Sequence, residues 1–272
     1  MNILDTIIAQ KKIEVAERQK TISMDDLQKT EFFVRPTFSM KQFLLDNSKT
    51  GIIAEFKRKS PSKGIINAEA DVVEVTKAYT QHGASAISVL TDEIFFGGSA
   101  DDLKKARVNH IPIIRKDFII SEYQVMESKA MGADVILLIA ACLTPLEVRQ
   151  LAAFARLIGL EVLLELHDES ELDHICEKTE IIGINNRNLK TFEVNIEHSL
   201  EMAARISSDK VKVAESGISS IKNILLFRQH GFHGFLIGEN FMKEKDPAEA
   251  FAKFARSLRE ASDLNQRTLP GI

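Results

Sequence analysis

At 272 residues, 44% hydrophobic and 27% charged, the chain is long enough to bury a large core in one domain. A formal charge of -4, from 35 Lys and Arg against 39 Asp and Glu, excludes a general pull toward nucleic acid, so any anion site must be local. No apolar run reaches the roughly 18 residues of a transmembrane helix, and Cys142 and Cys176, lacking a CxxC pattern, read as reduced thiols of a cytoplasmic protein.

The first residues place Ile3, Leu4, Ile7 and Ile8 among charges, the pattern of an amphipathic helix and not of a secretory leader. Shorter helices are expected from Met24 to Lys29 behind Ser23 and from Lys41 to Asp46 behind Ser39. From Gly51 onward, apolar runs alternate with amphipathic segments: GIIAEFK, ASAISVLT, IPIIRKDF, ADVILLIA, LEVLLELH, EIIGINNR, VKVAESG and GFLIGENF. Continuously apolar runs indicate strands covered on both faces, as in a parallel sheet. Between them, Thr144-Pro145-Leu146-Glu147 and Asp246-Pro247-Ala248-Glu249 each join an N-cap, a proline and a capping-box glutamate, with Ser121 and Gln124 a weaker box. Gly83, Gly159 and Gly231 occupy helix C-cap positions, and Cys176 falls in an expected helix.

The repeat predicts an α/β fold: a single-domain (β/α)8 TIM barrel, with an N-terminal helical extension over 1–48, the barrel over 49–258 and a tail over 259–272. A doubly wound open sheet is the alternative, but no GxGxxG turn follows the first run. The extension would cover one end of the barrel, and pattern alone does not choose the end.

Barrel chemistry sits where strands run out into βα loops, so polar residues ending the runs are the candidates. Glu55 and Lys57 share strand parity and would project together into the barrel mouth, whereas a solvated loop entrance accounts for Arg58 and Lys59. Lys116 faces opposite to Arg115 and Asp117, so this triplet is either an inward proton donor or a structural salt bridge. Glu165, set between leucines, must pair with a cation or take part in chemistry. His167 shares its parity, as a base or as a loop residue opening the next helix. Asn185 and Arg187 share a face, and the guanidinium suits phosphate or carboxylate. Ser216, Gly217 and Gly238 are small residues in the last two βα loops, where such barrels commonly bind phosphate. The histidines show no metal-ligand spacing, so no metal is expected, and His230 and His233 bracket a surface turn.

In order and without a large gap, AEFKRKSPSKG, IRKDFI, LLELHDE, GINNRNL, VAESGI and FLIGE resemble the strand-end motifs of the indole-3-glycerol-phosphate synthase family, from Pro36 to about Met242. The resemblance implies a carboxy-lyase of tryptophan biosynthesis. Its substrate would be 1-(2-carboxyphenylamino)-1-deoxyribulose 5-phosphate, which becomes indole-3-glycerol phosphate with loss of CO2 and water, without cofactor or metal. It implies Lys116 as general acid, Lys57 as a substrate-binding and proton-donating lysine, and Glu165 as the group supporting proton transfer and the cationic intermediate. Glu55, Asn185 and Glu215 match further active-site positions, and Ser216 a substrate contact. Ser60, Gly217, Gly238 and the backbone at Glu239 match the phosphate cradle, with Lys57 as counter-charge. Arg187 matches an arginine near the substrate carboxylate, and Phe96 an aromatic wall under the anthranilate ring.

Some members of the family carry Ser where this chain has Glu239, whose carboxylate must turn away from a phosphate. The expected partner is a small phosphosugar, with no nucleic acid and no membrane, and a monomer is expected rather than a homodimer. One rival is a phosphosugar isomerase barrel, which would rest on a Cys and Asp pair where this chain has Glu55 and Lys57. The other is a non-catalytic phosphometabolite sensor, which has no use for Lys116 and Glu165.

Overall fold

A computed structural model describes residues 3–187 and 193–268; Asn188 and Leu189, which end the GINNRNL motif, lie outside them. The extension forms α1 (Ile3–Thr21), α2 (Met24–Gln28) and α3 (Met40–Leu45), the last two capped by Ser23 and Ser39 as expected. There follow β1 (Ile52–Phe56), a hairpin of β2 (Lys59–Ser60) with β3 (Gly64–Ile65), α4 (Val72–Gln81), β4 (Ala86–Leu90), α5 (Ala100–Ala106), β5 (Ile113–Lys116) and α6 (Glu122–Met131). The second half comprises β6 (Val135–Ile139), α7 (Pro145–Leu157), β7 (Glu161–Leu166), β8 (Ile181–Asn185), α8 (Ile196–Ala204), β9 (Val211–Glu215), α9 (Ile221–Gln229), β10 (Phe232–Ile237), α10 (Glu239–Met242) and α11 (Pro247–Thr268). Strands β1 and β4 to β10 close into a parallel barrel in chain order, the (β/α)8 architecture that the repeat predicts.

Caps set the helix boundaries. Thr144 and Glu147 complete a reciprocal capping box at α7, and Gly83, Gly159 and Gly231 turn the chain out of their helices at φ +90°, +84° and +78°. One expectation fails. Between β7 and β8 stands the 3-10 stretch Glu169–His174, so Cys176 lies in a turn and not in a helix. There Asp168 accepts the Ser170 N–H at 2.9 Å and Glu171 the His167 N–H at 2.6 Å, side-chain bonds that compete with an α-helical ladder. Helix α11 runs on to Thr268, and in it Arg259 donates to the His82 carbonyl and Ser262 accepts from Arg228.

Two apolar shells hold the barrel. Inside it, Ile53, Ile114, Val135, Leu163, Ile181, Val213 and Leu236 pack together, and α3 adds Met40 and Leu44 from below. The opposite strand faces pack against α4 to α11. Helix α1 runs to the other end, burying Ile7, Lys11 and Val15, with Val15 packed beside Leu27, Tyr123 and Met126. The extension therefore reaches both ends of the barrel. Among the described residues, no helix is long and apolar enough to cross a membrane.

Candidate active site

Strand parity carries the interior outward into polar ground. Ile53 is followed on the same face by Glu55 and Lys57, Ile114 by Lys116, Leu163 by Glu165 and His167, Ile181 by Asn185 and Arg187, and Val213 by Glu215. These side chains surround a cavity of about 1080 Å³ at the C-terminal ends of the strands. Ser60, Phe96, Ser216, Gly217, Gly238 and Glu239 line it too, so every candidate read from the sequence meets there.

Two lysine–carboxylate pairs face this space. Lys57 Nζ lies 2.7 Å from Glu55 Oε1, and Lys116 Nζ lies 3.3 Å from Glu165 Oε2. Burial works against the Lys116 ammonium, but the carboxylates of Glu165 and Glu55 outweigh it and hold the pKa above the lysine range. Burial likewise opposes the Glu165 carboxylate; Lys116, His167 and Asn185 overcome it and keep the group ionised. Burial and the Glu165 charge push Glu215 well above the usual carboxylate range, so it stays protonated. Its Oε1 is buried without a hydrogen-bond partner.

Two glycines explain how carboxyls fit so tightly. A Cβ at Gly183 would fall 2.0 Å from Glu215 Oε1, and Gly183 sits directly beside Glu165 in the β7–β8 register. The missing side chain is the space that Glu215 fills. At Gly238, a Cβ would lie 2.8 Å from that of Glu55, so this glycine makes room for Glu55 as well as leading into α10. Ser216 adopts φ +64°, the single non-glycine residue in the left-handed region among the described residues, and with Gly217 it turns the chain sharply at the cavity. Glu239 directs its carboxylate to within 3.7 Å of Lys63 in the loop after β1. Asn185 Oδ1 accepts the Arg187 N–H at 3.0 Å, so one asparagine both closes the strand and reaches Glu165.

The charged triplet of β5 resolves in both senses at once. Lys116 faces the cavity, while Arg115 is buried behind the strand, donating to Asp117 and to the carbonyl of Gln124. Arg58, assigned to a solvated entrance, instead forms a two-pronged pair with Asp102 at the start of α5 and stacks over Phe56. Sequence reasoning also missed Lys11. It crosses from α1 to Asp92 at 2.8 Å and Asp117 at 3.1 Å, and Asp92 in turn accepts the N–H groups of Phe95 and Phe96. Asp92 was detectable as one more polar residue ending a strand; one lysine among many on α1 was not.

A closed parallel barrel whose one mouth gathers paired lysines and glutamates around a cavity defines an α/β-barrel enzyme. A sequence profile for the family "Indole-3-glycerol phosphate synthase" matches residues 4–254, and the chain belongs to that family. Curated relatives bearing that name include one from Bacteroides thetaiotaomicron, 49% identical over 95% of this chain and 99% of its own. Another, from a Polaromonas species, is 40% identical over 93% and 97%. Among solved structures, tryptophan synthase subunit alpha from Legionella pneumophila superposes with a TM-score of 0.59 over 83% of this chain and 98% of its own; at 14% identity it shares the fold alone.

Proposed function

We propose a division of labour between two ion pairs in the reaction of this enzyme, which closes the ring of 1-(2-carboxyphenylamino)-1-deoxyribulose 5-phosphate, removes CO2 and removes water. The observation that carries it is the presence of Lys116–Glu165 and Lys57–Glu55 in one cavity, at 3.3 and 2.7 Å. In ring closure, the aromatic carbon bearing the carboxylate attacks the ribulose carbonyl, and Lys116 passes a proton to the oxygen, which becomes a hydroxyl. Glu165 stabilises the cationic nitrogen formed as the ring loses aromaticity. Departure of CO2 returns its bonding electrons to the ring. For dehydration, Lys57 protonates the hydroxyl as it leaves and Glu55 takes a proton from the adjacent carbon. Positioned acids and bases contribute about 10²- to 10⁴-fold each.

Around these pairs, Ser60, the backbone at Gly217, Gly238 and Glu239, and the charge of Lys57 hold the phosphate. Arg187 holds the substrate carboxylate, Ser216 and Asn185 fix the sugar side, and Phe96, 6.0 Å from Phe118 between ring centroids, stacks beneath the anthranilate. The protein works as a single-domain monomer of the cytoplasm; the one closed barrel supports the single domain, and the two thiols outside any disulfide suit a reducing compartment. Incubation with the carboxyphenylamino substrate should produce indole fluorescence over a low background, since the chain has no Trp. Silence from well-folded protein would sink the assignment.

A further inference from the structure

His167 stands two positions beyond Glu165 and shares its face, and nothing above gives it a task. Its side chain is 8% exposed, with Nε2 2.8 Å from Oε1 of Glu165. That same oxygen accepts a 3.1 Å hydrogen bond from Asn185 Nδ2. Oε1 thus accepts from Asn185 and lies against His167 Nε2, which is itself 3.3 Å from Asn185 Nδ2, and Oε2 is the oxygen left facing Lys116 at 3.3 Å. Behind the ring, Glu171 accepts the His167 N–H at 2.6 Å and holds Oε2 3.7 Å from Nδ1, too far for a hydrogen bond but close enough to stabilise a positive ring.

We infer that His167, fixed from behind by Glu171, is a positioning residue that locks Glu165 through Oε1 and so aims Oε2 at Lys116. This rests on the roles given above to Glu165 and Lys116. It also separates His167 from a catalytic base. Burial disfavours the imidazolium, but Glu165 and Glu171 reverse that and raise the pKa to about 10, so the ring has no free nitrogen to receive a proton near neutrality.

Around the pair stand Asn185 from β8, Lys116 from β5, Glu215 from β9 and the Cys142 thiol. Burial, with the charges of Glu165 and Glu171, pushes Cys142 up to about 12, so it is neutral. Lys116 keeps its charge and Glu215 its proton. Glu171 and Glu55 are the other carboxylates near the site, and Glu165 is the one whose protonation as pH falls would release Lys116. Removing the imidazolium takes away one of the two cations holding Glu165 ionised, and its pKa must rise.

The test compares kcat and KM against pH for the full chain and for Glu165→Gln, His167→Asn and Glu171→Gln. Glu165→Gln should lose about 10²-fold or more in kcat. His167→Asn keeps a donor but not the charge; kcat should fall between about 10- and 10²-fold while KM moves by less than about threefold. Its acid limb should shift upward by at least about one pH unit. Glu171→Gln should move both readouts the same way, by less. Wild-type kcat and acid limb in both His167→Asn and Glu171→Gln, beside an inactive Glu165→Gln, would overturn the inference alone. Loss of the basic limb in His167→Asn would make His167 the acid itself and overturn it too. Full activity of Glu165→Gln would instead remove the underlying reading of Glu165. Should His167→Asn fail to fold, Glu171→Gln decides, since it retains the imidazole and its backbone acceptor.

Discussion

The two ends of the barrel bury charge in opposite ways. At the N-terminal end, Asp134 Oδ1 accepts from Arg35 at 2.6 Å and from the Phe38 N–H at 2.9 Å, while Oδ2 accepts from Arg107 and from the Ile113 N–H. Arg107 directs further donors to the carbonyls of Asn109, Ile111 and Gly132. Both carboxylate oxygens are saturated, and α3 plugs the space beneath with Met40 and Leu44. At the C-terminal end, Glu215 keeps a bare oxygen, and Lys116 and Lys57 face an open cavity. A buried carboxylate with both oxygens bonded holds a fold together; groups with a valence left toward a cavity can move protons.

That contrast breaks first at Lys116. Lys116→Met should lower kcat by about 10²- to 10⁴-fold with KM little changed, measured in steady-state turnover; normal turnover would remove it from the mechanism. Asp134→Ala should do the reverse. Stripping one partner from a buried ionic network costs about 3–5 kcal/mol of stability in denaturant titrations, yet kcat of the folded enzyme should stay near wild type. A large kcat loss there would mean that the ends are not separable.

Gly183→Ala should fall between the two. Its methyl group displaces Glu215 from beside Glu165, costing about 10- to 10²-fold in kcat/KM with a modest change in melting temperature. The smallest effect belongs to Glu215→Gln in thermal unfolding. A carboxyl whose folded pKa is raised contributes stability that is fully present below its unfolded pKa, near 4.5, and is lost as pH rises through the folded one. Glutamine removes that loss, so the variant should gain on wild type with rising pH, by at most about 1.4 kcal/mol per unit. A difference constant across pH would show that Glu215 is ionised in the folded state.

Much of this was legible in the chain. Apolar periodicity and caps mark the strands because each is covered on both faces, and a polar residue ending such a run is conspicuous; Glu55, Lys57, Lys116 and Glu165 stood out for that reason. Gly183 did not, because its importance is the absence of a side chain opposite Glu215, a strand away. Arg58 was misjudged because its partner Asp102 is brought near only by the fold.

Local pattern, then, determines the eight βα units and the identity of the groups at the strand ends, since alternation and capping are properties of neighbours in sequence. Closure of the barrel decided the rest. Which oxygen of Glu165 faces Lys116, why Glu215 keeps its proton, and how Lys11 reaches Asp92 and Asp117 all depend on burial and on charges from distant segments, and those exist only once the ring of strands has closed. Even the extension follows this division: its helices are written in their own residues, but their placement at opposite ends of the barrel is set by the apolar interior that receives Met40 and the acidic rim that receives Lys11.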